Sequence, residues 1–339
     1  MSYAELAGAA RGKMGEWCRA CPVCDGRACS NKMPGPGAKG SGTVAIRNYE
    51  AWQQVRVNMD TIYEPGEASC AMSLFGRDLA LPVLVGPVGD VNRHYGPDYD
   101  TVSYNRCVLT AAADAGSIAL TGDGMDPDIM RLACELIGEL GGVGIPTIKP
   151  WSQDMVMEKL ALAKASSPIA IAMDVDAAGL PFLKGFNPPA GPKSPEALRE
   201  VVEACEGIPF IVKGIMTPWG AEKAAEAGVD AIVVSNHGGR VLDGTPATAE
   251  VLPEIAAAVG DELTVLVDGG IRSGLDVFRA LALGADAVLA CRPFVVATYG
   301  GGEEGVRGYL DQLAAELLDV MAMCGCLTLD DIDEECVFW

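Results

Sequence analysis

The stretch "TVLVDGGIRSGLDVFRALALGADAVLACRP", residues 264 to 293, contains one complete unit of the pattern that decides the fold. It holds two short apolar runs, and between them lies a helical pattern that opens with Ser273 in N-cap position and closes at Gly284. Near-continuous apolar character in such short runs indicates strands that are buried on both faces, as in a parallel sheet. The stretch therefore predicts a strand, a helix and a second, parallel strand.

The same alternation of apolar runs and helical patterns continues along the chain. Eight such units predict an α/β fold, a (β/α)8 TIM barrel. A doubly wound open sheet is the alternative, but it usually has a Gly-rich turn after its first strand, and "GPVGDVNRHYG" fits that pattern poorly. The eight runs are "LPVLVGPVG" (81–89), "SIALTGDG" (117–124), "GVGIPTIKP" (142–150), "PIAIAMDVD" (168–176), "PFIVKGI" (209–215), "AIVVSNHG" (231–238), "TVLVDGG" (264–270) and "AVLACRP" (287–293).

The length of 339 residues exceeds the usual size of one domain, whereas barrels of about 250 residues are common. We therefore expect one large domain with an appendage. Residues 1–60 are the predicted cysteine-rich N-terminal extension, and residues 61–339 are the predicted barrel. Within the extension, "NKMPGPGAKGSGT" is rich in glycine and proline and indicates either an ordered loop or a linker.

The charge balance bears on the class of partner. With 25 Lys and Arg against 46 Asp and Glu, the net charge of -21 repels phosphate backbones and anionic lipids, so we expect neither nucleic-acid nor membrane binding. The N-terminal "MSYAELAGAARGKMGEWC" lacks the apolar run of a signal peptide, and no stretch reaches about 18 apolar residues. A cytoplasmic protein is the expectation.

Residues that close the eight runs are the candidates for an active site, because barrel enzymes place it at the carboxyl ends of their strands. Arg272 and Arg292 follow the last two runs, where barrels often bind phosphate; the alternative is ordinary turns with solvent-facing arginines. Lys213 lies in an apolar run and needs a negative partner, either a carboxylate or a cofactor ring that acquires charge. The full set is Pro87 to Gly89, Thr121, Lys149, Asp174, Asp176, Lys213, Ser235 to Arg240, Asp268 to Arg272, Cys291 and Arg292.

Four spaced motifs then resemble a known family. "IVKGI", "VVSNHGGRVLDG", "LVDGGIRSGLDVFRALALGADAV" and "CRPF" are similar, in order and spacing, to FMN-dependent 2-hydroxy-acid oxidases and dehydrogenases such as glycolate oxidase and L-lactate oxidase. The resemblance is strong over residues 205 to 300, moderate over 80 to 176 and absent before residue 60. It implies a TIM barrel that binds FMN and oxidises a 2-hydroxy acid, and it implies a homo-oligomer, commonly a tetramer.

The resemblance also implies roles for individual residues. His237 would be the base that takes the substrate proton, Asp176 would orient its ring, and Arg240 would pair with the substrate carboxylate. Lys213 would stabilise the anionic reduced flavin and so belongs to both the catalytic and the cofactor set. The implied FMN-binding residues are Pro87, Val88, Gly89, Thr121, Lys213, Ser235, Asp268, Gly269, Gly270, Arg272, Cys291 and Arg292.

The chain departs from the family pattern on the substrate side. Members that oxidise glycolate or lactate usually carry a second arginine about seven residues after the aspartate, and here Leu183 and Lys184 stand at that place. The family's glutamine and tyrosine after the third strand are replaced by "PTIKPW". Candidate substitutes are Lys149, Lys184, His94 and Tyr95. The substrate is therefore predicted to differ from a simple hydroxy acid.

Four clustered cysteines are the second departure. Cys18, Cys21, Cys24 and Cys29 are spaced C-x2-C-x2-C-x4-C, which is similar to the first three ligands of an iron–sulfur site and also suits zinc. The alternatives are a redox or disulfide role and plain structural thiols. If a cluster is bound, it could pass flavin electrons onward, which favours a dehydrogenase over an oxygen-using oxidase.

Three classes of function remain open from the sequence. The first is the FMN oxidoreductase with His237 as base. The second is a non-redox flavin enzyme of the same fold, such as type II isopentenyl-diphosphate isomerase, against which "SNHGGR" argues. The third is a flavin- or metal-binding protein without catalysis.

Overall fold

The computed structural model, which describes residues 1–185 and 187–339, contains a barrel of eight parallel strands. The strands of the chain are β1 (Arg56–Val57), β2 (Met72–Leu74), β3 (Arg77–Leu79), β4 (Val83–Val85), β5 (Leu120–Thr121), β6 (Ile145–Ile148), β7 (Ile171–Asp174), β8 (Phe210–Ile215), β9 (Ala231–Val234), β10 (Thr264–Val267), β11 (Ala287–Ala290) and β12 (Val337–Phe338). Neighbours in the barrel follow the order β4-β11-β10-β9-β8-β7-β6-β5. A parallel bridge between Val85 and Ala119 connects the two ends of this order. The predicted TIM barrel is confirmed, since each of the eight apolar runs forms one of its strands.

Helices alternate with the barrel strands. They are α1 (Tyr3–Ala10), α2 (Thr43–Gln54), α3 (Val91–Tyr95), α4 (Thr101–Asp114), α5 (Pro127–Glu139), α6 (Gln153–Ala165), α7 (Pro195–Ala204), α8 (Pro218–Glu226), α9 (Thr248–Val259), α10 (Gly274–Ala282) and α11 (Arg292–Met323). Side chains of Ser194, Thr217 and Ser273 accept backbone N–H groups at the starts of α7, α8 and α10, which is why those helices begin there. Among the described helices, none combines the length and apolar character that crossing a bilayer requires.

Two layers of apolar side chains hold the barrel together. Side chains such as Ile211, Val233 and Leu266 belong to one buried cluster that fills the barrel interior. The antiparallel hairpin of β2 and β3 adds Leu74 and Leu79 to the same cluster, so it covers the amino-terminal end of the barrel. A second, larger cluster lies between the outer faces of the strands and the helices.

The N-terminal segment packs directly against the barrel. The backbone N–H of Tyr3 donates to Gln312 on α11 at 2.7 Å, and the rings of Tyr3 and Tyr309 have centroids 5.1 Å apart. Trp52 on α2 is fully buried and donates its indole N–H to the carbonyl of Gly269 at 2.7 Å. The Gly/Pro-rich stretch is held by similar contacts, described below. The boundary near residue 60 remains a prediction.

Candidate active site

Polar side chains occupy the barrel interior at the carboxyl ends of the strands. Side chains alternate between the two faces of a strand, so the residue two positions after an interior side chain also faces the interior. Lys213 follows Ile211 in this way, and Asp268 follows Leu266. The same step from an interior apolar residue gives Thr147, Asp174, Ser235 and Cys291. The strands therefore bring these polar side chains together at one end of the barrel.

A cavity of about 120 Å³ lies at this end. Asp176 and Ser235 are outside its lining but are hydrogen-bonded to two residues that line it, His237 and Lys213. Thr121 is buried and also outside the lining. The residues with a predicted catalytic or FMN-binding role that line the cavity are Pro87, Val88, Gly89, Lys213, His237, Arg240, Asp268, Gly269, Gly270, Arg272, Cys291 and Arg292.

His237 and Asp176 form a hydrogen bond at the cavity. Nδ1 of His237 lies 2.9 Å from Oδ1 of Asp176, and the histidine side chain is 18% exposed. Because a carboxylate accepts, this contact assigns the hydrogen to Nδ1 and leaves the lone pair of Nε2 free. A turn with left-handed backbone at His237, Gly238 and Gly239 positions the ring. Gly238 has a φ of 62°, a left-handed conformation that strains any residue with a side chain, which explains the first glycine of "SNHGGR".

Burial and two ammonium groups set the protonation state of the pair. Burial, followed by the charges of Lys213 and Lys149, holds the pKa of His237 well below its usual value. Burial also raises the pKa of Asp176, although Lys213 and Lys149 oppose that change. The imidazole is therefore neutral near pH 7, the form that can accept a proton.

Lys213 contacts three of the buried polar side chains of the site. Its ammonium donates to Oγ of Ser235 at 2.9 Å and lies 3.4 Å from Asp268 and 3.8 Å from Asp176. Although burial lowers it, the two carboxylates raise the pKa of Lys213 above its usual value. The negative partner that the sequence required is thus supplied by aspartates, and the ammonium stays charged at the cavity wall.

A second ion pair lies on the neighbouring strands. The ammonium of Lys149 contacts the carboxylate of Asp174, and both side chains are nearly buried. Asp174, Asp176 and His237 offer ligand atoms within 4.8 Å of one another, an arrangement that could also hold a cation. The ammonium groups of Lys149 and Lys213 already balance the charges of the two aspartates. The hydrogen bond between His237 and Asp176 therefore explains why these three side chains lie together without a metal.

The buried carboxylate of Asp123 is not among the predicted site residues. Its oxygens accept from the backbone N–H of Lys149 at 3.1 Å, the indole of Trp151 at 2.7 Å and the ammonium of Lys159 at 2.7 Å. Asp123 lines the cavity, and its contacts fix the end of the third barrel strand. The available signal was its place two residues after Thr121, in "TGDG".

The guanidinium of Arg240 is bound by the Gly/Pro-rich stretch. Nη1 donates to the carbonyls of Gly35 at 2.5 Å and Gly37 at 3.0 Å, and Nη2 donates to that of Pro34 at 3.4 Å. Burial lowers the pKa of Arg240 to about 10, so it remains a cation at neutral pH. Residues 34–37 therefore form an ordered loop that packs on Arg240, next to the cavity, rather than a linker.

Three of the four candidate substitutes for the absent second arginine lie at the cavity, and one does not. Lys149, His94 and Tyr95 line the cavity, whereas Lys184 is exposed and lies outside the lining. Burial, helped by the charge of Arg240, lowers the pKa of His94 to about 4, so His94 is neutral near pH 7. Lys149 is the remaining cationic candidate on the substrate side.

Arg272 and Arg292 connect the cavity with the cysteine segment. Nε of Arg272 donates to the carbonyl of Cys24 at 2.6 Å, and Nε of Arg292 donates to that of Pro36 at 2.9 Å. Arg292 lines the large cavity and also a second, smaller one. All four clustered cysteines, Cys18, Cys21, Cys24 and Cys29, line that second cavity. The cysteine segment of the N-terminal extension thus adjoins the site.

The residues of the large cavity fit FMN. The buried Oδ1 of Asp268, which lines the cavity, has no hydrogen-bond partner within the described part of the chain, and a hydroxyl of a ribityl chain can supply one. Gly269 and Gly270 have φ of 89° and 93°, and a Cβ on Gly270 would lie 2.2 Å from the carbonyl oxygen of Asn48, so close packing against α2 requires glycine in this turn. Arg272 and Arg292, in the loops after β10 and β11, line the cavity and offer positive charge for the FMN phosphate.

Comparisons with known proteins agree with this geometry. The sequence model of the FMN-dependent dehydrogenase family matches residues 186–338. The chain is 34% identical to 4-hydroxymandelate oxidase from Amycolatopsis orientalis, an alignment that covers 88% of this chain and 93% of the relative. It is also 51% identical to a peroxisomal (S)-2-hydroxyacid oxidase from Arabidopsis thaliana, but over 41% of this chain and 38% of that relative's length.

Solved structures give the same result for the whole chain. A crystal structure of mandelate oxidase superposes with a TM-score of 0.81 at 28% identity and covers 99% of this chain and 97% of its own. A variant of mandelate oxidase that carries a C4a-OH-FMN adduct superposes with a TM-score of 0.77 at 29% identity, covering 98% of both chains.

Proposed function

The chain belongs to the family of FMN-dependent dehydrogenases, and from this premise we propose that it oxidises a 2-hydroxy acid to the corresponding 2-oxo acid. The observation that carries the proposal is the hydrogen bond between His237 and Asp176 beside the ammonium of Lys213. A neutral base, its orienting carboxylate and a fixed cation together match what removal of hydrogen from a carbinol needs.

His237 acts as the base. Oxidation of the carbinol breaks an O–H and a C–H bond, and Nε2 of His237 takes the proton of the O–H bond. When bound, FMN would supply the acceptor for the hydride of the C–H bond. Asp176 holds the ring through Nδ1 and stabilises the imidazolium that forms, because the two groups are 2.9 Å apart.

Three groups of residues would hold FMN. Arg272 and Arg292 would bind its phosphate, and Asp268 with the glycine turn after β10 would bind the ribityl chain. Lys213 would lie beside the ring and stabilise negative charge on it, with Ser235 holding the ammonium at 2.9 Å. Pro87, Val88, Gly89, Thr121 and Cys291 complete the proposed set.

Arg240 would bind the substrate carboxylate. A guanidinium has five N–H donors, and three contacts with the loop leave donors for an anion. Lys149 adds a second cation on the same cavity, although Asp174 neutralises it. This arrangement supports a carboxylate substrate that is bound by the charged guanidinium of Arg240 and by neutral side chains such as Tyr95.

Anaerobic reduction of the bound flavin tests the proposal. Lactate, glycolate, mandelate and longer 2-hydroxy acids are added separately to the FMN-loaded enzyme while the visible absorbance of the flavin is followed. We expect at least one acid to bleach it. Persistent yellow colour with every acid, in an enzyme that dithionite does reduce, would contradict the proposal and favour the non-redox or non-catalytic classes.

We further propose that the enzyme is a cytoplasmic homo-oligomer, a tetramer. The family resemblance supports the oligomer, and the net charge of -21 supports a dissolved protein. Analytical ultracentrifugation of the FMN-loaded enzyme would give about four times the chain mass of 35.3 kDa for a tetramer.

A further inference from the structure

The four clustered cysteines converge on one small cavity next to the candidate FMN site. Cys18, Cys21, Cys24 and Cys29 all line it, together with Tyr95 and Arg292, and all four are free thiols. We propose that these four thiolates bind an iron–sulfur cluster of the [4Fe–4S] type. This site is separate from the substrate chemistry and stands whether or not a 2-hydroxy acid is the substrate.

The local backbone brings the thiols to one side. Gly26 has a φ of 84°, and its carbonyl accepts from the backbone N–H of Ser30 at 2.8 Å and from the thiol of Cys29 at 3.5 Å. This turn brings Cys29 back toward the three cysteines that precede it. A Cβ on Gly26 would lie 3.1 to 3.2 Å from atoms of Ala45 and Ile46, so the turn also packs closely against α2.

The separation of the sulfurs favours a cluster over zinc. Four thiolates around one zinc ion, each at about 2.3 Å, lie about 3.8 Å from one another. Among the described residues, no three of the four cysteine sulfurs lie within 4.8 Å of one another, so they are not gathered as tightly as one zinc ion requires. A cluster needs this wider spacing, because each of its thiolates binds a different iron.

Charge at the cavity also fits the cluster. Four thiolates and their irons carry net negative charge, which a buried site must compensate. Arg292 lines this cavity, and Arg272 donates to the carbonyl of Cys24 at 2.6 Å. The spacing C-x2-C-x2-C agrees with the first three ligands of a bacterial cluster motif. The fourth ligand of such a cluster comes from elsewhere in the chain, and Cys29, which lines the same cavity, would supply it here.

The proposal is tested on anaerobically purified full-length enzyme. We expect about four iron atoms and four acid-labile sulfides per chain, a broad absorbance that survives removal of FMN, and an electron paramagnetic resonance signal after reduction by dithionite. The variant Cys21→Ser/Cys24→Ser should lose the iron, whereas Cys336→Ser, a change at a partly exposed cysteine outside the cavity, should retain it.

Two results would overturn the proposal. One is a wild-type enzyme that carries no iron as purified and takes up none on anaerobic reconstitution with ferrous iron and sulfide. The other is about one zinc per chain in place of iron. If the double variant does not fold, the iron and sulfide content of the wild-type enzyme decides between these outcomes.

Discussion

Nδ1 of His237 lies 2.9 Å from Oδ1 of Asp176, although the two residues are 61 positions apart in the chain. The contact joins the end of β7 to the turn after β9, and Lys213 on β8 lies between them, 3.8 Å from Asp176. The barrel therefore brings a base, its orienting carboxylate and a cation from three successive strands to one point.

Replacing Asp176 by asparagine should impair the base without removing FMN. The amide can donate to Nδ1, which would move the hydrogen to Nε2 and block proton uptake there. We expect the rate of flavin reduction to fall by about 10²- to 10⁴-fold. Stopped-flow absorbance gives the rate, and a reduction rate within a few-fold of wild type would exclude the orienting role.

The pH dependence should report the lowered pKa of His237. Burial and the ammonium groups of Lys213 and Lys149 lower that pKa, so the base stays neutral until the pH falls well below the usual value of about 6.5. The acid limb of kcat/KM should therefore lie below pH 6.5.

Replacing Lys149 by methionine should raise the pKa of His237. It removes a positive charge that lowers the pKa of His237 and leaves Asp174, whose charge raises it, without its ammonium partner. The acid limb should move to higher pH, as measured by steady-state kinetics across pH 4 to 9. A limb that stays in place or moves to lower pH would rule out His237 as the titrating group.

Replacing Lys213 by methionine should make bound FMN harder to reduce. The ammonium stabilises negative charge on the ring, so its loss should lower the midpoint potential by about 30 mV or more, which corresponds to about 1.4 kcal/mol for a two-electron couple. Dye-linked redox titration measures the shift. Lys184→Met, a change at an exposed lysine outside the cavity, is the matched control, and equal potentials in both variants would refute the role of Lys213.

Replacing Arg240 by methionine should weaken substrate binding more than it slows the chemical step. A charge-assisted hydrogen bond contributes about 1.5–3 kcal/mol, so KM for the acid should rise about 10- to 100-fold. The same variant releases the carbonyls of Gly35 and Gly37, so limited proteolysis at residues 31–42 should increase. An unchanged KM would show that the carboxylate binds elsewhere.

The barrel and the place of most site residues could be predicted because their signals are local. Apolar runs that end in polar residues identify the strands, and alternation places Lys213 and Asp268 inside the barrel. The loop of residues 34–37 that binds Arg240 could not be predicted. Arg240 contacts it through backbone carbonyls about 205 positions away, and a backbone carbonyl has no sequence signature. The buried pair of Asp123 and Lys159 was missed because burial of the lysine depends on packing.

Flavin reduction by the His237→Ala variant tests the central claim most directly. The variant is loaded with FMN, its flavin content is checked by absorbance, and the best substrate acid is added under anaerobic conditions. If His237 is the base, FMN remains bound and dithionite still reduces it, but the substrate reduces it at least about 10²-fold more slowly than in wild type. Reduction at the wild-type rate would contradict the account.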